Sequence, residues 1–126
     1  MPFVHIRSLP FDPPLDVPAI VRRVNCDLSD VLGIPADHIT VTWELVAPGH
    51  YSVGGRTEYT QPPDSHPILV EIQVPDSTPS DTVHRVMAFI ADALVERTRV
   101  QPENVFVGVR LLRSGQIMDL GRVVHW

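Results

Sequence analysis

Apolar residues recur along this chain with two periods, and the switch between them occurs twice in the same order. Pro2-Phe3-Val4-His5-Ile6-Arg7-Ser8-Leu9-Pro10 alternates with period two and predicts a strand. Val17, Ile20, Val21, Val24, Leu28, Val31 and Leu32 then recur at helical spacing, with Asp16 placed as the N-cap, Pro18 in the first turn and Gly33 as the terminator. A second strand follows at Ile39–Leu45, with Ile39, Val41, Trp43 and Leu45 on one side and Thr40, Thr42 and Glu44 on the other. The second half repeats the plan. Pro67-Ile68-Leu69-Val70-Glu71-Ile72-Gln73-Val74-Pro75 echoes the first strand about sixty-five residues on. A helix capped by Thr78, with Pro79 at its first position, carries the stripe Val83, Val86, Met87, Ile90, Leu94 and Val95, and Val105–Leu111 reads as the closing strand. The helix-to-strand connections also match, Gly33-Ile34-Pro35-Ala36-Asp37-His38 against Arg99-Val100-Gln101-Pro102-Glu103-Asn104.

Each half therefore reads β-α-β. Strands within a unit are expected to be parallel with a right-handed crossover, which puts both helices on one face of a four-stranded mixed sheet. The fold class expected is α+β, a single domain over residues 1–126 with an internal repeat of about 2–55 and 67–122. Alternation assigns Phe3, His5, Arg7, Thr40, Thr42, Glu44, Leu69, Glu71, Gln73, Phe106 and Arg110 to the opposite face, a mixture too apolar to leave wet and too charged for a sealed core. Packing around a symmetry axis resolves that conflict, so a homo-oligomer is expected. Tyr51–His66, with Gly54-Gly55 and Pro62-Pro63, reads as a connector holding a hairpin or a surface excursion. The tail turns at Gly115 and Gly121 and ends in a β-prone run suited to pairing with a neighbouring subunit's edge strand.

Composition narrows the function classes. A net charge of −5 with a pI near 5.6 and no basic stripe gives no nucleic-acid footprint. No apolar run is long enough to span a bilayer and no signal-peptide pattern opens the chain, so a cytoplasmic protein without a membrane partner is expected. Cys26 is the single cysteine and falls opposite the apolar stripe of its helix. The six histidines show neither H-x-H nor H-E-x-x-H spacing, so no metal is expected.

Pro2 carries the candidate chemistry. Removal of Met1 would leave a secondary amine, and an α-amino group titrates at about 8 in water, within reach of working pH once partly buried. Combined with the doubled β-α-β unit, Ile39-Thr40-Val41-Thr42-Trp43-Glu44-Leu45-Val46-Ala47-Pro48-Gly49-His50-Tyr51-Ser52-Val53-Gly54-Gly55 resembles the tautomerase superfamily, whose members include 4-oxalocrotonate tautomerase, macrophage migration inhibitory factor and the 3-chloroacrylic acid dehalogenases. This stretch is similar to the second strand of 4-oxalocrotonate tautomerase and its following G-H-F-G-I-G-G turn. The resemblance covers nearly the whole chain and implies a homotrimer of two-unit subunits, no organic or metal cofactor, and a small keto or enol acid as substrate. It also implies Pro2 as general base, desolvated by neighbours such as Tyr51, Phe106 and Ile117.

Carried over residue by residue, the resemblance places Tyr51 and Phe106 in the pocket, the first at the position of an active-site phenylalanine and the second at that of a pocket tyrosine. Packing aromatics would leave the same signature. Gln116-Ile117-Met118-Asp119-Leu120-Gly121-Arg122 resembles the Q-M-V-E-Y-G-R segment of the cis-3-chloroacrylic acid dehalogenase, putting Asp119 where a glutamate activates water; a turn aspartate is the alternative. The family's carboxylate-gripping cations are absent: the corresponding positions hold Asp12, Leu28, Ile34, Thr40, Pro75 and Thr78. Arg110 is the favoured replacement, then Arg122, against the alternative that Arg7 and Arg110 pair with Glu44 and Glu71. Three functions follow in order: a Pro2-dependent keto-enol isomerase of a small 2-oxo or enol acid, with phenylpyruvate as a probe; a hydratase or dehalogenase with protonated Pro2 as acid and Asp119 activating water; and a non-catalytic trimeric scaffold that retains Met1.

Overall fold

The computed structural model describes residues 2–126. The question of Met1 retention lies outside the described residues. The elements run in the order β1 (Phe3–Ser8), α1 (Val17–Leu32), β2 (Thr40–Leu45), β3 (Ser52–Val53), β4 (Arg56–Thr57), β5 (Ile68–Pro75), α2 (Ser80–Thr98), β6 (Val105–Leu112), β7 (Ile117–Asp119) and β8 (Arg122–Val124). Short 3₁₀ turns at Ala36–His38 and Pro102–Asn104 precede β2 and β6.

The main sheet has the order β2-β1-β5-β6. β1 and β2 pair in parallel, as do β5 and β6, while β1 and β5 pair antiparallel at the centre. This is the four-stranded mixed sheet that the doubled unit predicts. Its helix side buries Val4, Ile6, Val70, Ile72 and Val74 against Ile20, Val24, Leu28, Val86, Ile90 and Leu94, so each helix stripe meets the inward positions of the strands.

Both helices end alike. Gly33 closes α1 at φ 66°, its N–H donating to the Ser29 carbonyl, and Arg99 closes α2 at φ 62°, its N–H donating to the Val95 carbonyl. Gly33 and Arg99 stand 66 residues apart, as do Thr40 and Phe106, the partners of Phe3 and Leu69 in the two parallel pairs. The sequence echo of Pro2 with Pro67 is therefore one residue out of register. A one-residue slip exchanges the faces of a strand, and only the longer spacing lays Val4 and Ile6 over the buried Val70 and Ile72. Ile68, fully buried, is the structural counterpart of Pro2.

At the start of α1 the Asp16 carboxylate accepts from the Ala19 N–H at 3.1 Å, the N-cap that the sequence predicts. α2 starts one residue later than expected: Pro79 is its cap residue and no side chain caps it. Thr78 is left free of that role.

The connector forms the β3–β4 hairpin around Gly54-Gly55 and is bound to both halves by two amides. Gln61 accepts from the Leu9 N–H and donates to the Pro62 and His66 carbonyls, while Asn104 donates to the Pro62 and Ser65 carbonyls. His66 is buried with its Nε2–H donating to the Arg56 carbonyl at 2.8 Å, which leaves Nδ1 to accept from the Ser65 hydroxyl at 3.2 Å. The tail forms the β7–β8 hairpin, so its apolar run pairs within the chain.

Candidate active site

Pro2 is buried, and its carbonyl accepts from the Thr40 N–H at 3.1 Å. It lines a cavity of about 170 Å³ on the helix side of the sheet, walled by Leu32 and Ile34 from the end of α1, Ile72, Val74 and Pro75 from β5, and Val83 and Val86 from α2. Thr78 contributes the one polar side chain of this lining. The sequence built this end of the molecule in two ways. The αL turn at Gly33 swings Ile34 back toward the sheet, and the β5–α2 loop brings Thr78 over the opening.

A wider and more polar groove lies next to Phe3 and Thr40. Phe3, Asp37, His38, Thr40, Ile117, Met118, Asp119 and Leu120 line about 660 Å³ beside the residue that follows Pro2. The β7–β8 hairpin comes to this end of the sheet, where Ile117 and Asp119 line the groove with Phe3 and Thr40 and not the cavity that Pro2 lines. Among the described residues Asp119 pairs with no opposite charge; one of its oxygens accepts from the Leu120 N–H at 3.0 Å, the turn geometry weighed as its alternative. Arg122 stands opposite Asp119 in the hairpin register and is exposed.

Arg110 lies level with Pro2's end of the sheet, in the row Thr40, Phe3, Gln73, Arg110, but on the open face, whereas the Pro2 cavity is on the helix face. Its Nε is 3.8 Å from Glu71, and His5 takes Glu44 at 3.4 Å. Glu71 is held below its ordinary range by the hydrogen bond from Gln73, with the positive charges of Arg110, Arg7 and His5 adding to the effect.

Tyr51 and Phe106 sit elsewhere in the chain. The Tyr51 hydroxyl donates to the Pro67 carbonyl at 2.8 Å and its ring meets His66 edge-on at 5.1 Å, while burial pushes its pKa above 10.0. Phe106 is level with Leu69 and Arg7. Arg7 is five residues from Pro2, so Phe106 is about 17 Å from the proline along the strand direction at about 3.3 Å per residue, and Tyr51 is bonded to Pro67 at that same far end. Within one chain the desolvation of Pro2 therefore comes from Leu32, Ile34, Ile72, Val74, Val83 and Val86. Phe106 remains 62% exposed on the open face.

Asp37 and His38 line the groove without having been singled out by the sequence reading, while Thr78, read there as a cap and as the position of a missing cation, lines the Pro2 cavity. Their signal was positional: the first two follow the Ala36 turn that leads into β2, and the third follows the Pro75 end of β5. Among the described residues no group of three or more histidines, cysteines and carboxylates is placed to hold a metal ion. No helix among them is long and apolar enough to cross a membrane.

No protein-family model and no curated protein matches this sequence. Solved structures do match. Pt0534 inactivated by 2-oxo-3-pentynoate superposes with a TM-score of 0.80 at 14% identity, over 97% of this chain and 94% of that one. A fused 4-OT solved as an asymmetric trimer gives 0.79 at 11% identity, over 96% and 94%. A member of the cis-3-chloroacrylic acid dehalogenase family gives 0.74 at 14%, over 97% and 82%. Near-complete coverage at such low identity is a likeness of architecture, and the architecture of this chain is the tautomerase-superfamily fold.

Proposed function

We propose that the chain is a tautomerase-superfamily enzyme that works as a homotrimer and uses the Pro2 amine, freed by loss of Met1, as general base in keto-enol tautomerisation of a small 2-oxo or enol acid. One observation carries this reading: Pro2 is buried against a cavity whose lining, among the described residues, holds no ionisable side chain. An ammonium there loses hydration without gaining a counter-charge, so its pKa falls from the ordinary α-amino range of about 7.7–8.0. The neutral amine then moves a proton between the carbon next to a carbonyl and the carbonyl oxygen, removing it from one and returning it to the other through the enolate. The groove along Phe3, Thr40 and Ile117, which starts at the residue after Pro2, offers room for the substrate. Trimerisation is supported by the fused 4-OT trimer and by the half-charged, half-apolar open face, and it gives Phe106 and Arg110 a surface to meet.

The experiment pairs intact mass with activity. Chain lacking Met1 is expected to ketonise phenylpyruvate enol and to take up one equivalent of 2-oxo-3-pentynoate at Pro2; chain retaining Met1 is expected to do neither. Equal activity of both forms would overturn the proposal. A second reading, water addition to an unsaturated acid with Pro2 as proton donor, is favoured by the position of Asp119 in the groove with His38. It predicts that Asp119→Asn abolishes hydration and leaves tautomerisation intact.

A further inference from the structure

The space that holds Pro2 occurs twice. One copy lies between the end of α1 and the loop leading from β5 into α2; the other lies between the end of α2 and the loop leading from β1 into α1. Leu32 and Ile34 of the first correspond, 66 residues on, to Thr98 and Val100 of the second. We infer that this second cavity is a separate binding site for a small zwitterion with an apolar side chain, an α-amino acid by chemical class.

Size is the first argument. The cavity encloses about 570 Å³, within the span of about 300–1,000 Å³ typical of small-molecule sites. Its apolar walls are Phe11, Leu15 and Val100, and the Phe11 ring is held edge-on to Trp43 at 6.2 Å. Gln61, which also lines it, is fixed by its bonds to Leu9, Pro62 and His66. The cavity is thus formed before any ligand arrives.

Charge is the second. Arg97, Arg99 and Asp12 all line the cavity. Among the described residues neither Arg99 nor Asp12 pairs with an opposite charge, and Arg97 reaches Asp27 at 3.9 Å only by sharing it with Arg23 at 3.5 Å. Two guanidinium-bearing residues from the end of α2 and a carboxylate-bearing residue from the β1–α1 loop, together with apolar walls, match a ligand carboxylate, a ligand ammonium and an apolar side chain.

Backbone conformation is the third. Gly33 ends α1 in the left-handed region, where a Cβ is unfavourable, and the counterpart residue in α2 is arginine at φ 62°. Strain retained where the repeat shows a glycine solution marks a residue kept for its side chain. A lysine or arginine in the last turn also complements the helix dipole, and the test below separates that role from ligand binding. No amine chemistry is assigned here: the residue corresponding to Pro2 is Ile68, buried within the chain.

The test is a titration of the ¹⁵N-labelled full chain with L-phenylalanine, with 3-phenylpropanoate and 2-phenylethylamine as half-probes lacking one charge each. L-Phenylalanine is expected to shift the amides of Phe11, Asp12, Leu15 and residues 97–100 saturably, and each half-probe to bind at least about tenfold more weakly, the usual scale for losing one charged partner. Arg99→Gly and Asp12→Asn should each weaken L-phenylalanine by a similar factor, with Arg99→Gly folding at least as stably as the parent. Absence of saturable shifts there, equal binding of a half-probe, or unchanged binding in both variants would overturn the inference.

Discussion

Leu32, Gly33 and Ile34 at the end of α1 and Thr98, Arg99 and Val100 at the end of α2 occupy corresponding places, yet the cavities they border differ in chemistry. The first is small, free of ionisable side chains and touches Pro2. The second is larger and carries Arg97, Arg99 and Asp12. The lesson is that the β-α-β unit supplies a gap between a helix end and a strand-to-helix loop wherever it is used. What distinguishes the two gaps is the few side chains the αL turn delivers to each, and that Pro2 at the start of β1 lines one while its counterpart Ile68 does not line the other.

The largest effect should come from removing that amine's chemistry. Pro2→Ala is expected to lower phenylpyruvate tautomerase activity by about 10²-fold, in line with loss of a well-placed general base, measured as kcat/KM on chain with Met1 removed. Placing a carboxylate in each cavity sharpens the contrast. Ile34→Asp would hold the proline ammonium and move the acidic limb of the rate profile up by about one pH unit or more, whereas Val100→Asp would leave the limb in place. Swapping the helix terminators comes next. Gly33→Arg should cost about 1 kcal/mol and Arg99→Gly should gain about the same in urea unfolding, because the difference lies in the left-handed backbone and nothing crowds a Cβ at Gly33.

Two pH effects are smaller. Tyr51 has its pKa raised by burial, so its contribution to stability is full below 10.0 and is lost as pH rises through the higher native value. In a Tyr59→Phe background, absorbance at alkaline pH should show the remaining tyrosine ionising above 10.0. Glu71 behaves oppositely. Its native pKa is depressed, so its contribution is present above 4.5 and is lost as pH falls through the lower native value. Melting temperatures of the parent and Glu71→Gln should converge on acidification.

The frame was legible because both periods, the terminating Gly33 and the capping Asp16 are local signals that tertiary packing reinforced. The repeat register was less so. The prolines flanking each strand suggested a spacing that matched residue types, and burial of alternate positions imposed the spacing one longer. Thr78 looked like a cap because it precedes Pro79, but the turn after Pro75 left it facing the cavity. At the site, Ile117 and Asp119 line the groove beside Phe3, while Pro2 lines the cavity on the helix side. Tyr51 and Phe106 are separated from Pro2 within the chain because antiparallel pairing of β1 with β5 puts Leu69 and Pro67 at the far end from Phe3. Gln61, Asn104 and His66 were illegible: their partners are carbonyls of the connector, and backbone acceptors leave no trace in residue type.

The account turns on whether the Pro2 nitrogen is a neutral base at working pH. Following the ¹⁵N shift of a proline-labelled sample against pH measures it directly. The predicted result is a titration below the ordinary α-amino range of about 7.7–8.0, matching the acidic limb of the rate profile. A nitrogen that stays protonated well above that range, or an amide signal showing that Met1 is still attached to active protein, would contradict it.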